Sequence, residues 1–312
     1  MIIKKEKKDG IIIYHVKKDY DEEKMLKKLN TFIKREDIPI IITSDSDVYD
    51  EDGELLLKFR KNAMRDLKHL DDFYENIIKF AKSNVSSNRG NATGSKTRSL
   101  RSNPKVMSNI FGFYDRWAPS QKVLLRNLEP KPTTSVHECR FNMDYPNLYK
   151  KTIPMVQDID RLYRKLIPKE YGAQRKKADE THFKIPKTAF TTVTTNVNYQ
   201  TSIHTDRGDD VEGFGNLAVI EQGDYSGGET CFPQYGLGVD VRTGDILFMD
   251  VHQPHANLPI EKKTDDVIRL SVVCYLREQV WKQTKGKSMA FFNAHNKTIK
   301  GMKKQKNKTM RK

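Results

Sequence analysis

From residue 185 onward the chain breaks into short β-branched runs, and this texture limits its architecture more than any other feature. FTTVTTNVNY (190–199), GNLAVIEQG (215–223), GGETCFPQYG (227–236), LGVDVRTG (237–244), DILFMDV (245–251) and VIRLSVVCYL (267–276) are parted by Gly, Asp and Pro. Val, Ile, Thr and aromatic residues fit a pleated, half-buried surface, and turn formers between them reverse the chain. Short strands at this spacing predict an antiparallel sandwich or barrel.

Upstream the pattern is mixed. The first 55 residues alternate apolar runs (GIIIYHV, IPIIITSD) with charged helical stretches such as DEEKMLKKLNTFIKRE. DVYDEDGELLLKF reads as two extended pieces around Asp-Gly, a hairpin signal. In 64–82, Leu67, Leu70, Phe73, Ile77, Ile78 and Phe80 recur at near-helical spacing, which predicts a helix with one buried stripe. A second amphipathic helix is expected over 152–172, with Ile159, Leu162, Tyr163 and Leu166 on its core side and Pro168 and Gly172 at its end. Between the two helices, SNVSSNRGNATGSKTRSLRSNP (83–104) has no periodicity. It reads either as a linker or as a basic loop that closes over phosphate or a base. The end, from KQTKGKSM onward, reads as a basic tail with little to fold around.

The 312 residues, 37% hydrophobic and 31% charged, can bury a sizeable core and describe a soluble globular chain. No apolar run approaches the roughly 18 residues that span a bilayer, so no membrane partner is expected. The N-terminus lacks a signal-peptide core, which predicts an intracellular protein. Cys139, Cys231 and Cys274 are distant and odd in number, and read as buried thiols. The net charge of +15 fits either a polyanion partner or a Lys-rich solubilising surface.

Within the β-rich part, TSIHTDRGD (201–209) places His204 and Asp206 at i and i+2. On a strand such positions share a face, so the pair offers one nitrogen and one oxygen to a divalent metal. A facial iron site needs a third ligand, commonly a second histidine. GDILFMDVHQPHANLPI supplies two, His252 and His255. His255 is preferred and His252 is placed behind the ligands, but spacing leaves the reverse open. Arg269 sits inside an otherwise apolar strand. A guanidinium there needs a carboxylate, which its planar fork binds through two parallel hydrogen bonds. His-x-Asp, a distal His and a strand Arg, in that order, are the components of a non-haem iron enzyme that uses 2-oxoglutarate.

TAFTTVTTNVNYQTSIHTDRGD followed by EGFGNLAVIEQGDYSGGETCFPQYGLGVDVRTGDILFMDVHQPHAN resembles the 2-oxoglutarate oxygenases of the TET and J-binding-protein group. The likeness is most specific over 185–280 and extends upstream through NRGNATG (88–94), SNIFGFYDRW (108–117) and ECRF (138–141). It implies an α+β fold with a double-stranded β-helix (jelly-roll, cupin-like) core flanked by helices. His204, Asp206 and His255 would hold Fe(II), Arg269 would bind 2-oxoglutarate, and O2 would complete the cofactor set. Ala256 stands where the family commonly has Gly after the histidine. The chain then divides into an N-terminal α/β extension (1–82), a basic flexible loop (83–107), a dioxygenase domain (108–281, jelly-roll core about 185–281) and a basic C-terminal tail (282–312).

The implied reaction is hydroxylation of the 5-methyl group of a pyrimidine, 5-methylcytosine or thymine, in nucleic acid, with DNA the expected partner before RNA. A nuclear or otherwise DNA-associated location follows for a eukaryotic or viral chain. Arg89, Arg98, Arg101, Arg116 and Arg140 are candidates for phosphate or base contact. Tyr114 and Trp117 are candidates for stacking on a base, and Asp115 for a bond to a base edge. Two alternatives share parts of this reading: a prolyl or lysyl hydroxylase of the same iron class, and a catalytically dead jelly roll that binds nucleic acid.

Overall fold

Alternation along the β-branched runs sorts their side chains onto two faces, and the two faces bury different things. The computed structural model describes residues 1–83, 92–94, 104–117 and 132–309, with side chains up to residue 301. Its strands are β1 (Ile2–Lys8), β2 (Ile11–Val16), β3 (Ile40–Ile42), β4 (Ser46–Tyr49), β5 (Leu55–Arg60), β6 (Ser108–Tyr114), β7 (His137–Glu138) and β8 (Thr192–Val197). They continue as β9 (Gly215–Gln222), β10 (Tyr225–Gly227), β11 (Thr230–Phe232), β12 (Leu237–Val239), β13 (Ile246–Met249), β14 (Ala256–Asn257), β15 (Ile260–Lys262) and β16 (Ile268–Tyr275). The helices are α1 (Glu22–Lys28), α2 (Leu67–Ser83), α3 (Arg140–Asp144), α4 (Pro146–Leu166), α5 (Pro168–Asp179), α6 (Glu278–Thr284) and α7 (Met289–Thr309).

Ten strands form one sheet in the order β1-β2-β4-β5-β13-β9-β16-β8-β6-β7, and four form a second, β14-β11-β12-β3. The Asp-Gly segment is the expected hairpin, with β4 antiparallel to β5. The N-terminal strands also enter the jelly roll itself. β5 pairs antiparallel with β13, and β3 pairs parallel with β12. Both sheets therefore need residues of the first 60 positions.

On β16, Leu270, Val272 and Cys274 join the cluster beneath the helices, while Arg269, Ser271, Val273 and Tyr275 face a cavity between the sheets. On β8, Val193 and Val197 point to the helices and Thr194 and Asn196 to the cavity. α2 and α4 cover the outer face with Leu70, Phe73, Ile77, Met155, Ile159 and Tyr163. Leu67, expected in that stripe, lies at the start of α2 and stays exposed. A second cluster, including Phe59, Phe232, Leu237 and Leu247, fills the space between the sheets, and its Leu217 and Met249 reach the cavity. Cys139, Cys231 and Cys274 are all buried thiols.

Two expectations need correction. The helix expected over 152–172 begins earlier, at Pro146, and breaks only at Ile167, after which Pro168 opens α5. Proline has no N–H to offer, but at the first helical position none is needed, so it starts a helix there as readily as it ends one. The C-terminal region is also not a tail with nothing to fold around. α7 buries His295, Asn296 and Ile299 and packs Phe291 and Phe292 against Phe113, Val136, Phe183 and Val280. Among the described residues no helix is long and apolar enough to cross a membrane.

Candidate metal centre and cavity

His204 lies in the loop after β8 and His255 just before β14, and a two-residue antiparallel bridge joins them. The His204 amide donates to the His255 carbonyl and the His255 amide to the His204 carbonyl, both at 2.9 Å. The Asp206 amide donates to the Val251 carbonyl at 3.0 Å. The backbone thus places all three side chains before any ion is considered. His204 Nε2 lies 3.8 Å from Asp206 Oδ1, and His255 Nε2 lies 3.8 Å from Asp206 Oδ2. One ligand atom from each residue falls within 4.8 Å of the other two.

The ring tautomers follow from hydrogen bonding. His204 Nδ1 is 2.7 Å from the Ser202 carbonyl, and His255 Nδ1 is 2.9 Å from the Gln253 carbonyl. A carbonyl oxygen only accepts, so each Nδ1 carries a proton, which leaves Nε2 as the nitrogen that would bind a metal. His252 is elsewhere: its Nε2 is 3.3 Å from the Asp210 carbonyl, and it is outside the three-residue group. Two imidazoles and one carboxylate around one cavity are the donor set of a facial iron site.

Arg269 lines the same cavity and is 5% exposed. Its amide donates to Asn198 Oδ1 at 2.7 Å, but its Nη2 is buried without a hydrogen-bond partner. Glu221 is its cross-strand partner on β9, yet that carboxylate is committed elsewhere. It accepts from Arg242 Nη1 at 3.1 Å, from the Thr243 amide at 2.6 Å and from the Tyr225 hydroxyl. Burial pushes the Glu221 carboxyl up, but these three donors outweigh it and hold the group below its ordinary range. An unpaired buried guanidinium nitrogen costs on the order of 1–3 kcal/mol, and a carboxylate entering the cavity would remove that cost. Gly228 (φ +79°) lets its loop pass over this arginine, because a Cβ there would stand 2.9 Å from Arg269 Nε.

The same cavity holds a second arginine that the sequence reading missed. Arg277 is 6% exposed and lines the cavity. Its Nε donates to Asp115, its amide donates to Thr191 Oγ1 at 2.8 Å, and its guanidinium lies 4.3 Å from the Tyr114 ring centre. A side chain at Gly208 would collide with Arg277 Nη1. Arg277 follows Arg269 by an even offset, the period-2 signal that would have found it. Asp115, considered for a base edge, is the partner of this arginine.

The other candidates separate. Tyr114 lines the cavity. Arg116 is largely exposed and 3.9 Å from Asp115, and Arg140 donates to Asp144 at 3.0 Å on α3; neither lines the cavity. Trp117 is buried, stacked on His137 with ring centres 3.8 Å apart. Arg89, Arg98 and Arg101 lie outside the described residues.

Residues 127–278 match the Tet_JBP family model, described as the oxygenase domain of the 2OGFeDO superfamily. The chain is 33% identical over 144 residues to the bifunctional helicase and thymine dioxygenase JBP2 of Leishmania major, covering 45% of this chain and 13% of that protein. It is 30% identical over 151 residues to thymine dioxygenase JBP1 of Trypanosoma brucei brucei, covering 47% and 18%. It thus spans under a fifth of these two relatives. The solved structure of NgTET1 in complex with 5mC DNA matches with a TM-score of 0.50 over 85% of this chain and 94% of that one. Its sequence identity is 13%, so this likeness concerns the fold. Over residues 127–278, just under half of its length, the chain is thus similar to the oxygenase domain of the Tet_JBP family.

Proposed function

We propose that the protein is an Fe(II)- and 2-oxoglutarate-dependent dioxygenase that hydroxylates the 5-methyl group of a pyrimidine in DNA. The observation that carries this is the placement of the His204, Asp206 and His255 donors in one cavity with the unpartnered Arg269 guanidinium. Thymine is the first substrate to test, because the matched relatives are named thymine dioxygenases; 5-methylcytosine differs from it at the 4-position. Such a protein acts where DNA is held, the nucleus in a eukaryotic cell.

His204 and His255 would bind iron through Nε2 and Asp206 through its carboxylate, while Arg269 would hold the far carboxylate of 2-oxoglutarate in a two-bond fork. The bound pair supplies C–H oxidation: O2 and 2-oxoglutarate are consumed, one oxygen atom enters the methyl group as hydroxyl, and succinate and CO2 leave. The chain's residues bind and orient. The carbonyls of Ser202 and Gln253 keep both imidazoles in the ligating tautomer. Asn257 Oδ1 accepts from the Thr201 amide at 2.7 Å, which fixes the loop leading to His204. Arg277, clamped by Asp115 against the Tyr114 ring, would offer guanidinium donors to the carbonyl oxygens of a pyrimidine, and Tyr114 a flat wall. A base within a duplex reaches such a cavity by flipping out, at a cost of a few kcal/mol.

Anaerobic addition of ferrous iron and then 2-oxoglutarate tests this reading. A weak visible charge-transfer band is expected, and its absence would contradict the assignment.

A further inference from the structure

We infer that α7 (Met289–Thr309) is a built clamp for the phosphate backbone of duplex DNA, packed on the strand next to the cavity wall; this rests on the proposed action on DNA. After Glu278 the chain has eleven basic and no acidic side chains, most of its net +15. Solvated basic runs are common, so charge alone decides nothing. What distinguishes this run is that its first part is fixed in place.

His295 Nε2 donates to the Val136 carbonyl at 2.6 Å. Phe292 meets Phe183 edge-on with ring centres 4.9 Å apart, and Ile299 packs on Trp117. Lys300 Nζ lies 3.5 Å from Glu138 Oε2 on β7. β7 pairs with β6, Tyr114 opposite His137, and Tyr114 lines the cavity. β7 therefore stands about one strand spacing, roughly 5 Å, beyond the cavity wall, and the helix packs on β7. Beside it is a groove lined by Glu138, Asn293, Asn296, Lys297 and Lys300. Asn296 is 6% exposed, and neither its amide nitrogen nor its amide oxygen has a hydrogen-bond partner. An orphaned buried amide is destabilising unless something bonds to it.

Lys297 and Lys300 are one helical turn apart on the same side of the helix. A phosphate oxygen accepts from an ammonium and from an amide N–H alike. Cations at helical spacing beside a buried amide donor suit a row of phosphates along one strand. The stripe gives no base-specific contact, so it holds the duplex while the cavity selects the base.

The test is binding of the full chain to a thymine-containing duplex across a salt series. Lys297→Gln with Lys300→Gln should weaken binding severalfold at 0.1 M salt. It should also flatten the slope of log affinity against log salt by about 1.8, from about 0.9 per lost phosphate contact. Lys7→Gln with Lys8→Gln, an equal charge change on β1 at the far edge of the large sheet, should leave the slope unaltered. Asn296→Leu should raise the melting temperature, because an apolar group replaces an orphaned amide, and yet weaken the duplex complex. Equal binding by the Lys297/Lys300 double variant and its parent, an equal loss in the β1 control, or Asn296→Leu binding as tightly as its parent would overturn the clamp alone. A parent chain that binds no duplex would overturn both the clamp and the action on DNA beneath it.

Discussion

His204 and His255 face each other across a reciprocal pair of 2.9 Å backbone hydrogen bonds, with ring centres 4.5 Å apart. Fifty-one residues separate them in sequence, yet their relative position is set by main-chain pairing rather than by side-chain packing. The carboxylate completing the group is tied to the same stretch through the Asp206 amide and the Val251 carbonyl.

Asp206→Ala should therefore leave the fold intact and remove iron binding. The bridge between the histidines uses no atom of the Asp206 side chain, so melting behaviour should stay close to the parent. Iron affinity should fall by more than the roughly 10–100-fold that loss of an outer-shell partner costs. His252→Ala should retain the metal, because its ring bonds to the Asp210 carbonyl instead. Iron titration followed by spectroscopy distinguishes the two.

Arg269→Lys should raise the 2-oxoglutarate requirement about 10–100-fold while changing the iron requirement little. A fork that makes charge-assisted hydrogen bonds of about 1.5–3 kcal/mol is replaced by a point charge. Gly228→Ala should act in the same direction, since the added Cβ would stand 2.9 Å from Arg269 Nε and its φ is +79°. Co-substrate saturation curves at fixed iron check both.

Breaking the buried Arg277–Asp115 pair on one side should be costly. Both side chains are under a tenth exposed, so Asp115→Ala leaves a buried cation without its counter-charge, at about 3–5 kcal/mol. Replacing both partners with Asp115→Leu and Arg277→Met should recover much of that stability and lose DNA turnover, with the iron and 2-oxoglutarate spectrum retained. Denaturation curves and turnover assays on the parent and the two variants separate packing from substrate recognition.

Glu221 gives a pH signature. Its carboxyl is held below the ordinary 4.5 in the folded protein, so between the two values the unfolded chain binds more protons than the folded one. The stabilisation is fully present above pH 4.5 and is lost as pH falls through the lower folded value. Glu221→Gln should therefore melt lower than the parent near neutrality, and the gap should shrink on acidification. Melting curves from neutral pH into the acid range show whether it does.

Much of this site was legible because its signals are local. The i, i+2 spacing of His204 and Asp206, the strand position of Arg269 and the Asp-Gly hairpin each depend on a few neighbouring residues. The choice of His255 over His252 was not, since it turns on which carbonyl each ring meets. Strand order was hidden for a similar reason: nothing within Leu55–Arg60 announces pairing with Ile246–Met249 far along the chain. α7 was obscured by composition. Its lysines suggest a solvated tail, although Phe292, His295, Asn296 and Ile299 already carry helical spacing. Arg277 went unread because it lies just past the apolar run that drew attention to Arg269.

The most direct test is mass spectrometry of nucleosides from DNA, unmodified or containing 5-methylcytosine, after incubation with the protein, ferrous iron, 2-oxoglutarate and O2. A hydroxymethylpyrimidine should form in proportion to succinate and should be missing with Asp206→Ala. Succinate produced while every nucleoside keeps its mass would contradict a methyl-directed action on DNA.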